Sequence, residues 1–309
     1  MEILITGASS FTGLWFARAL ALRGAKVTAV YRRPFAAYTG LRQLRVIQGE
    51  SWCTQHFEVP WGSEGFQELL ASKRFDVFCH HGAQVSDYRS DRFDVQGAVE
   101  HNTKGMDRTL GQLAPWKTRV VVTSSLFEGG VGRGTRPEED MYPYGLSKRL
   151  TAERMAYLCE AYGLSFHRFV VGNPLGPMET PKFAQYLAKC WLSGEVPTVR
   201  APEYVRDYQP VDLLASTYGA FVMSPSQQIL CPSGFALRGE DFARKMSNEL
   251  SGRWALPCPV NTAHQKESCE PMVRVGLHPM NEQAHGWNPS DFWDRLSAYY
   301  HSVLWHQTA

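Results

Sequence analysis

Short apolar runs alternate with longer amphipathic stretches from the first residues of the chain to Val171. The run Glu2–Thr6 is mostly apolar, as expected of a strand buried on both faces of a parallel sheet. Similar runs recur at the spacing of βαβ units, and the stretches between them have the length of helices. This alternation predicts an α/β fold with a Rossmann-type, doubly wound parallel sheet. The predicted strands are 2–6, 26–31, 44–48, 76–79, 119–123 and 165–171, and the predicted helices between them are 14–23, 66–73, 93–113 and 144–162.

The alternation stops after Val171, and the remaining predicted helices are separated by irregular, proline-containing loops. We therefore expect a smaller C-terminal α/β lobe that covers the carboxyl edge of the sheet, where doubly wound folds bind their ligands. The predicted helices of this half are 183–192, 211–223, 240–250 and 290–305. The expected division is a dinucleotide-binding domain over 1–172, to which 207–235 returns, and a substrate-binding lobe of 173–206 and 236–309.

Composition and charge argue against several classes of protein. The 309 residues include 32 basic and 30 acidic side chains, so the net charge of +2 gives no reason to expect a nucleic-acid partner. The seven cysteines form no CxxC pair, which argues against a disulfide framework and against a metal site. There is no signal-peptide pattern and no window near the ~20 apolar residues of a membrane span. We expect a soluble, cytoplasmic protein without a membrane partner.

Tyr144 and Lys148 are the strongest candidates for catalysis. They stand four residues apart in a predicted helix, which places both side chains on one face. A neighbouring ammonium favours the phenolate, so Lys148 is expected to lower the pKa of Tyr144. Such a tyrosine can pass a proton to or from a carbinol oxygen. Ser124 and Ser125, at the carboxyl end of the predicted strand 119–123, can hold that oxygen by a hydrogen bond. An exposed helix face would explain the Tyr/Lys pair alone but not the serines.

A glycine-flanked turn over Gly7–Gly13 follows the first predicted strand. Glycines at this place allow a tight turn and the close approach of a pyrophosphate to the N-terminus of the next helix. Ser10 stands where such loops often carry a middle glycine. A turn from strand to helix favours glycine in any case, so the motif indicates a nucleotide site mainly through its position.

Arg32 and Arg33 follow the second predicted strand, with no carboxylate beside them. NAD sites place an acid there for the ribose 2′-hydroxyl, whereas NADP sites use arginine for the 2′-phosphate. A basic turn exposed to solvent is the alternative interpretation. The position favours NADP as the cofactor over NAD, because the guanidinium fork suits phosphate geometry.

Together these motifs resemble those of the extended short-chain dehydrogenase/reductase superfamily, in its NAD-dependent epimerase/dehydratase branch. The resemblance extends over nearly the whole chain. In the first half of the chain, segment 6–13 is similar to the family motif TGxxGxxG, segment 80–83 to HLAA, and segment 102–105 to NxxG. Segment 123–125 is similar to the serine strand of the family, and Tyr144 with Lys148 to its YxxxK motif. Segment 168–177 is similar to RxxNxxGP and segment 206–212 to RD[FY]xxVxD.

The resemblance implies roles for individual residues. It implies that Ser125, Tyr144 and Lys148 are catalytic, that Asn102 supports a proton relay, and that Lys148 also holds the nicotinamide ribose. It implies a nucleotide-sugar substrate and a homodimer formed through the helices around 102–113 and 148–162. The implied cofactor-binding residues are Gly7, Ser9, Ser10, Phe11, Thr12, Gly13, Arg32, Arg33, Gly82, Ala83, Thr123, Tyr144, Lys148, Val171 and Asn173, and the implied substrate-binding residues are Gln84, Ser125, Asn173 and Arg206.

Departures from the family pattern narrow the expected reaction. Leu126 and Phe127 follow Ser125 where sugar 4,6-dehydratases carry Asp-Glu, so the acid and base for water elimination are missing from their usual place. Simple redox at one carbinol or ketone remains. The leading hypothesis is an NADP(H)-dependent ketoreductase acting on a nucleotide-linked sugar, with a 4-keto-6-deoxy sugar favoured and Tyr144 as general acid. The alternatives are a nucleotide-sugar 4-epimerase that retains its cofactor and a non-catalytic NADP-binding regulator.

Overall fold

The computed structural model describes residues 1–265 and 270–304. Strands and helices are numbered here in chain order. The strands are β1 Glu2–Thr6, β2 Lys26–Val30, β3 Thr54–His56, β4 Val77–His80, β5 Arg119–Ser125, β6 Arg133–Gly134, β7 Phe166–Val171, β8 Asn173–Leu175, β9 Thr198–Val199, β10 Val205–Pro210, β11 Ile229–Leu230, β12 Pro232–Ser233, β13 Phe235–Arg238, β14 Asn261–Thr262, β15 Val273–Val275 and β16 His278–Pro279. The α-helices are α1 Phe11–Leu22, α2 Gly40–Gly49, α3 Glu64–Ser72, α4 Val95–Thr103, α5 Met106–Leu113, α6 Tyr142–Ala161, α7 Phe183–Leu192, α8 Val211–Met223, α9 Gly239–Trp254 and α10 Pro289–Leu304.

The first of two compact units contains residues 1–131, 138–171 and 215–232. Its seven strands form a parallel sheet in the order β3-β2-β1-β4-β5-β7-β11. Leu4 of β1 packs in a core cluster with side chains of α3, α5 and α6. Side chains alternate along a strand, so Ile3 and Ile5 point to the other face. The predicted Rossmann-type, doubly wound sheet is confirmed, and all carboxyl strand ends lie at one edge.

Two predicted elements of this unit are wrong. The predicted strand 44–48 belongs to helix α2, and the third strand is Thr54–His56. The predicted helix 93–113 is two helices, α4 and α5, interrupted at Gly105 with φ of 65°. A Cβ on Gly105 would lie 2.9 Å from the Gly62 Cα, so close packing of two glycines fixes this break.

The second unit contains residues 132–137, 172–214 and the described residues from 233 onward. Its main sheet has the order β13-β10-β15-β6, with β8 also paired to β10. Its core contains Trp191 of α7, Phe242 of α9 and Trp293 of α10, all with 1% exposure or less. The expected return of the chain to the first domain begins at 215 and not at 207, because β10 pairs with β8, β13 and β15 inside the second unit.

No helix within 1–265 and 270–304 is long and apolar enough to cross a bilayer. Among the same residues, no three His, Cys, Asp or Glu side chains are grouped so that they could hold a metal ion. The six cysteines that fall in these ranges form no disulfide with one another, and five of them are buried. The seventh, Cys269, lies outside the described residues, as does Trp305 at the end of the last predicted helix.

Candidate active site

Helix α6 carries Tyr144 and Lys148 and begins close to the end of β5. The N–H of Met141 donates to the carbonyl of Phe127 at 2.7 Å, directly before the helix starts. A Cβ on Gly145 would lie 2.1 Å from that same carbonyl oxygen. Position 145 must therefore be glycine for the first turn of α6 to pack against the loop after β5. This close approach brings the hydroxyl of Tyr144 to the hydroxyl of Ser125, with which it forms a hydrogen bond.

Lys148 is buried on the same face of α6. Its ammonium donates to the carbonyl of Thr123, in β5, at 2.7 Å. Burial lowers the pKa of Lys148, the nearby Arg168 charge lowers it further, and the carboxylate of Glu128 acts in the opposite direction. The ammonium is therefore held against the strand that carries Ser125.

Tyr144 retains its proton more strongly than expected from the sequence. Burial raises the pKa of Tyr144, and Glu128 and Tyr88 raise it further, while the hydrogen bond from Ser125 opposes them. The expectation that Lys148 lowers this pKa overall is therefore not met, because desolvation of the phenolate outweighs it. At neutral pH Tyr144 is a phenol, which is the protonation state that a general acid requires.

Aromatic rings surround the Tyr144 side chain. Its ring centroid lies 5.6 Å from that of Tyr88, 5.7 Å from that of Phe93 and 5.9 Å from that of Phe127. Two of these neighbours come from the loop between β4 and α4, and the third follows Ser125. They account for the dry surroundings that raise the pKa of Tyr144.

Glu128 is a buried carboxylate that the sequence-based assignment missed. It has no exposed surface, and its Oε1 accepts a hydrogen bond from the backbone N–H of Ser125 at 2.8 Å. Its Oε2 pairs with the guanidinium of Arg168 in β7, whose Nε donates to the hydroxyl of Ser124 at 3.1 Å. The available signal was a carboxylate three residues after the serines that follow a predicted strand, together with an arginine inside the predicted strand 165–171.

The predicted dinucleotide turn has the geometry that a pyrophosphate needs. Gly7 has φ of 75°, and a Cβ on it would lie 2.7 Å from the N atom of Gly82. A Cβ on Gly13 would lie 2.2 Å from the carbonyl oxygen of Gly7. Ser10 caps α1 by accepting the N–H of Gly13 at 3.0 Å. The turn thus brings backbone, without side-chain bulk, to the N-terminus of α1, so the residues present fit a dinucleotide there.

His81 connects this turn to strand β5. Its Nε2 lies 3.0 Å from the Ser10 hydroxyl and 3.1 Å from the Thr12 hydroxyl, and its Nδ1 lies 2.9 Å from the Thr123 hydroxyl. Burial and the charge of Lys148 lower the pKa of His81 to about 3, so the imidazole is neutral at pH 7. The hydroxyls predicted to contact the cofactor are therefore engaged with His81.

Arg32 and Arg33 are exposed directly after β2. Tyr31 before them is buried and stacks on Phe57 with a centroid distance of 4.9 Å, which fixes the chain where the arginines begin. Burial lowers the pKa of His101, in α4, and the charges of Arg32 and Lys104 contribute to that shift, so the His101 ring lies within range of the Arg32 charge.

The remaining predicted cofactor residues of the first unit line the same edge of the sheet. The N–H of Gly82 donates to the Thr6 hydroxyl at 2.9 Å, and Ala83 follows it. Ser9 lies in the turn before α1, Phe11 is buried as its first residue, and Val171 ends β7.

Asn102 and Gln84 are linked to each other. The Asn102 Oδ1 accepts the backbone N–H of Gln84 at 2.9 Å, and its Nδ2 donates to the Thr151 hydroxyl at 3.3 Å. The Asn102 side chain therefore joins α4 to α6 and to the loop after β4, and its proton-relay role stays a prediction. Gln84 lines a polar cavity of about 460 Å³ together with residues of that loop and of α4.

Asn173 and Arg206 belong to the second unit. Asn173 lies in β8, in register with Tyr208 of β10. The Arg206 guanidinium donates to the Glu270 carboxylate at 2.7 Å and to the Met272 carbonyl at 3.2 Å, and it lies over the ring of Tyr204. The charge predicted to meet a substrate diphosphate is thus already paired with a carboxylate.

This fold and arrangement define an enzyme of the extended short-chain dehydrogenase/reductase type. Ser125 and the dinucleotide turn follow parallel strands of one sheet at the same edge, and α6 brings Tyr144 and Lys148 to it. Residues 3–219 match the profile of the NAD dependent epimerase/dehydratase family, and the chain belongs to that family.

Solved structures similar to this chain share its fold at low sequence identity. UDP-glucose 4-epimerase of Thermus thermophilus, solved with NAD, is 19% identical with a TM-score of 0.71, covering 98% of this chain and 100% of its own. A variant of UDP-glucuronic acid 4-epimerase of Bacillus cereus, solved with NAD and UDP-4-deoxy-4-fluoro-glucuronic acid, is 18% identical with a TM-score of 0.73, covering 98% of this chain and 100% of its own. The dTDP-glucose 4,6-dehydratase of Streptomyces venezuelae, solved with NAD, is 18% identical with a TM-score of 0.69, covering 98% of this chain and 98% of its own. No curated protein matches the chain in sequence.

Proposed function

We propose that the protein is an NADP(H)-dependent ketoreductase that acts on a nucleotide-linked sugar, with a 4-keto-6-deoxy sugar as the favoured substrate. The observation that carries this proposal is the buried Tyr144 hydroxyl beside Ser125, whose pKa is raised by burial, Glu128 and Tyr88, so that it keeps its proton at neutral pH. Reduction of a ketone requires an acid at this place, whereas oxidation of an alcohol requires a base. The resting protonation state therefore favours reduction.

Each side chain of the site has a separate role in the proposed reduction. A bound nicotinamide would supply the hydride. The glycine turn, Lys148 and the arginines after β2 would hold the dinucleotide. Ser125 orients the substrate oxygen by a hydrogen bond, and Tyr144 donates the proton that converts the reduced oxygen into a hydroxyl. The ammonium of Lys148, held by the Thr123 carbonyl, offsets the negative charge that Tyr144 then acquires.

A nucleotide-sugar 4-epimerase with a retained cofactor is the second candidate. It is supported by the match of residues 3–219 to the NAD dependent epimerase/dehydratase family, and two structures of the same fold are 4-epimerases solved with NAD. The two activities differ in stoichiometry. A reductase consumes one NADPH for each ketone reduced, whereas an epimerase interconverts two sugars with no net change in external cofactor.

The test is incubation of the purified protein with NADPH or NADH and a 4-keto-6-deoxy nucleotide sugar, with UDP-glucose in parallel. We expect equimolar loss of NADPH and formation of the 4-hydroxy product, measured by absorbance and mass spectrometry. Isomerisation of UDP-glucose without NADPH loss would replace the proposal by the epimerase. Cofactor binding without turnover of any sugar would support a non-catalytic regulator.

Arg206 is proposed to bind the diphosphate of the substrate, in exchange for Glu270. Arg206→Ala should raise KM for the nucleotide sugar much more than it changes kcat, because the lost contact acts in ground state and transition state alike. The matched control is Glu270→Gln, which frees the guanidinium and should lower the same KM. Steady-state curves with a small ketone lacking phosphates should hardly change for either variant. Equal effects on both substrates would mean that Arg206 only holds its own unit together.

A homodimer is also proposed, through the helices around 102–113 and 148–162, which are the end of α4, α5 and α6. Tyr157 and Leu150 of α6 are 71% and 37% exposed and stand seven residues apart, so they lie on one face of the helix. Light scattering should give twice the chain mass of 34.9 kDa. Tyr157→Asp should lower that mass toward the monomer, and a wild-type monomer would contradict the prediction.

A further inference from the structure

Ser125 is held by three hydrogen bonds within the tight turn that follows it. The N–H of Glu128 donates to the Ser125 carbonyl at 3.0 Å, the N–H of Phe127 donates to the Ser125 hydroxyl at 3.2 Å, and the Glu128 carboxylate accepts the Ser125 N–H at 2.8 Å. Ser125 is therefore fixed at its main chain by Glu128 and at its side chain by the backbone of Phe127.

The carboxylate is also part of a buried charge network. Arg168, from the neighbouring strand β7, pairs with Glu128 and donates to Ser124, so it joins β7 both to β5 and to the turn that holds Ser125. Replacing a buried ion pair by apolar residues is often neutral or stabilising, so stability alone does not account for the pair. A role of the Glu128 carboxylate in the reaction would account for keeping this buried ion pair.

Two titratable groups of the described residues act on the Tyr144 pKa by their charge, Glu128 from the loop after β5 and Tyr88 from the loop after β4. The charges of Glu128 and of Arg168, in β7, act on the pKa of Lys148. Glu128 raises the pKa of Tyr144 and also favours the charged form of Lys148. It therefore acts in the same direction on both: it holds their protons.

We propose that Glu128 is a positioning residue of the reaction, which fixes Ser125 and supplies the negative charge that keeps the proton on Tyr144. This inference rests on the proposed function only in assigning Tyr144 as the proton donor. Glu128 makes the site an acid in its resting state and so directs the enzyme toward reduction. Its position, three residues after Ser125, is a place where none of the compared motifs assigns a function.

The test is the pH dependence of kcat for ketone reduction in Glu128→Gln. Glutamine preserves the size and can still accept the Ser125 N–H, but it removes the charge. The pKa of Tyr144, and that of Lys148, should then fall, so the loss of activity at alkaline pH should move about 1–3 units lower. Glu128→Asp keeps the charge and loses reach, so it should lower kcat without that shift. Glu138→Gln, an exposed carboxylate in the next loop, is the matched control and should behave as wild type.

A second measurement does not depend on activity. The ultraviolet difference between each protein and its Tyr144→Phe derivative reports phenolate formation at this residue, and the signal should appear at lower pH in Glu128→Gln than in wild type. If the single variant does not fold, Glu128→Gln combined with Arg168→Met removes both charges together. The Tyr144 signal should then move in the same direction but less far, because the lost Arg168 cation opposes the effect of the lost carboxylate. An unshifted titration in the folded variant would overturn the inference. Absence of wild-type turnover would contradict the proposed function but leave the titration decisive for Glu128.

Discussion

Replacing Tyr144 with phenylalanine is expected to lower kcat for ketone reduction by about 10²–10⁴-fold, the usual contribution of a positioned general acid. The substitution removes one hydroxyl and leaves the ring among Tyr88, Phe93 and Phe127, so the packing of α6 should be preserved. The raised pKa of Tyr144 means that the wild-type residue carries its proton throughout the neutral range. The measurement is kcat at pH 7 with saturating NADPH.

Two controls separate lost chemistry from lost structure. The dissociation constant of NADPH, measured by fluorescence titration, should stay close to the wild-type value. Tyr157→Phe removes a hydroxyl from an exposed tyrosine on the same helix and should leave kcat unchanged. A Tyr144→Phe protein with near-normal turnover would show that another group donates the proton and would remove the main support for the proposed function.

The position of these side chains could be predicted because of the geometry of parallel sheets. Ser125 ends β5, and the turn Gly7–Gly13 follows β1. In a parallel sheet all carboxyl ends lie at one edge, so residues far apart in sequence converge once their strands are recognised. Tyr144 and Lys148 need only a helix between them to share one face. Apolar runs and local spacing were enough for this part of the site.

The errors have physical causes that are equally local. The segment 44–48 contains β-branched and apolar residues and resembles a strand, but Leu44 and Ile47 are exposed on α2, while Arg45 is buried. The true third strand, Thr54–His56, is three polar residues at the sheet edge, without an apolar run. A strand held mainly by backbone hydrogen bonds to one neighbour carries little hydrophobic signal, so periodicity assigns it poorly.

Glu128 and His81 could not be identified from patterns of this kind. Their roles depend on contacts across the fold, with Arg168 of β7 for Glu128 and with Ser10 and Thr123 for His81. The net shift in the pKa of Tyr144 was also unpredictable. The sequence shows a lysine one helical turn away, but burial among aromatic rings is a tertiary property, and desolvation outweighs that single charge.

The double variant Arg32→Ala with Arg33→Ala is expected to weaken NADPH binding by at least about 100-fold, since each arginine can form charge-assisted hydrogen bonds with the 2′-phosphate. Both guanidinium groups are exposed after β2, so their replacement should not disturb the core. NADH carries a hydroxyl in place of that phosphate, so its affinity should change much less. The measurement is a fluorescence titration with each cofactor at low ionic strength.

Arg42→Ala is the matched control for this variant, because it removes an exposed charge from the neighbouring helix α2. It should leave both dissociation constants near their wild-type values, which separates a specific contact from the general field of a basic surface. Raising the salt concentration should weaken NADPH binding in wild type and have less effect in the double variant, because exposed charge pairs are screened. Equal loss of affinity for NADPH and NADH would mean that Arg32 and Arg33 form a solvated turn. The cofactor would then be NAD, as in the solved 4-epimerase and dehydratase structures.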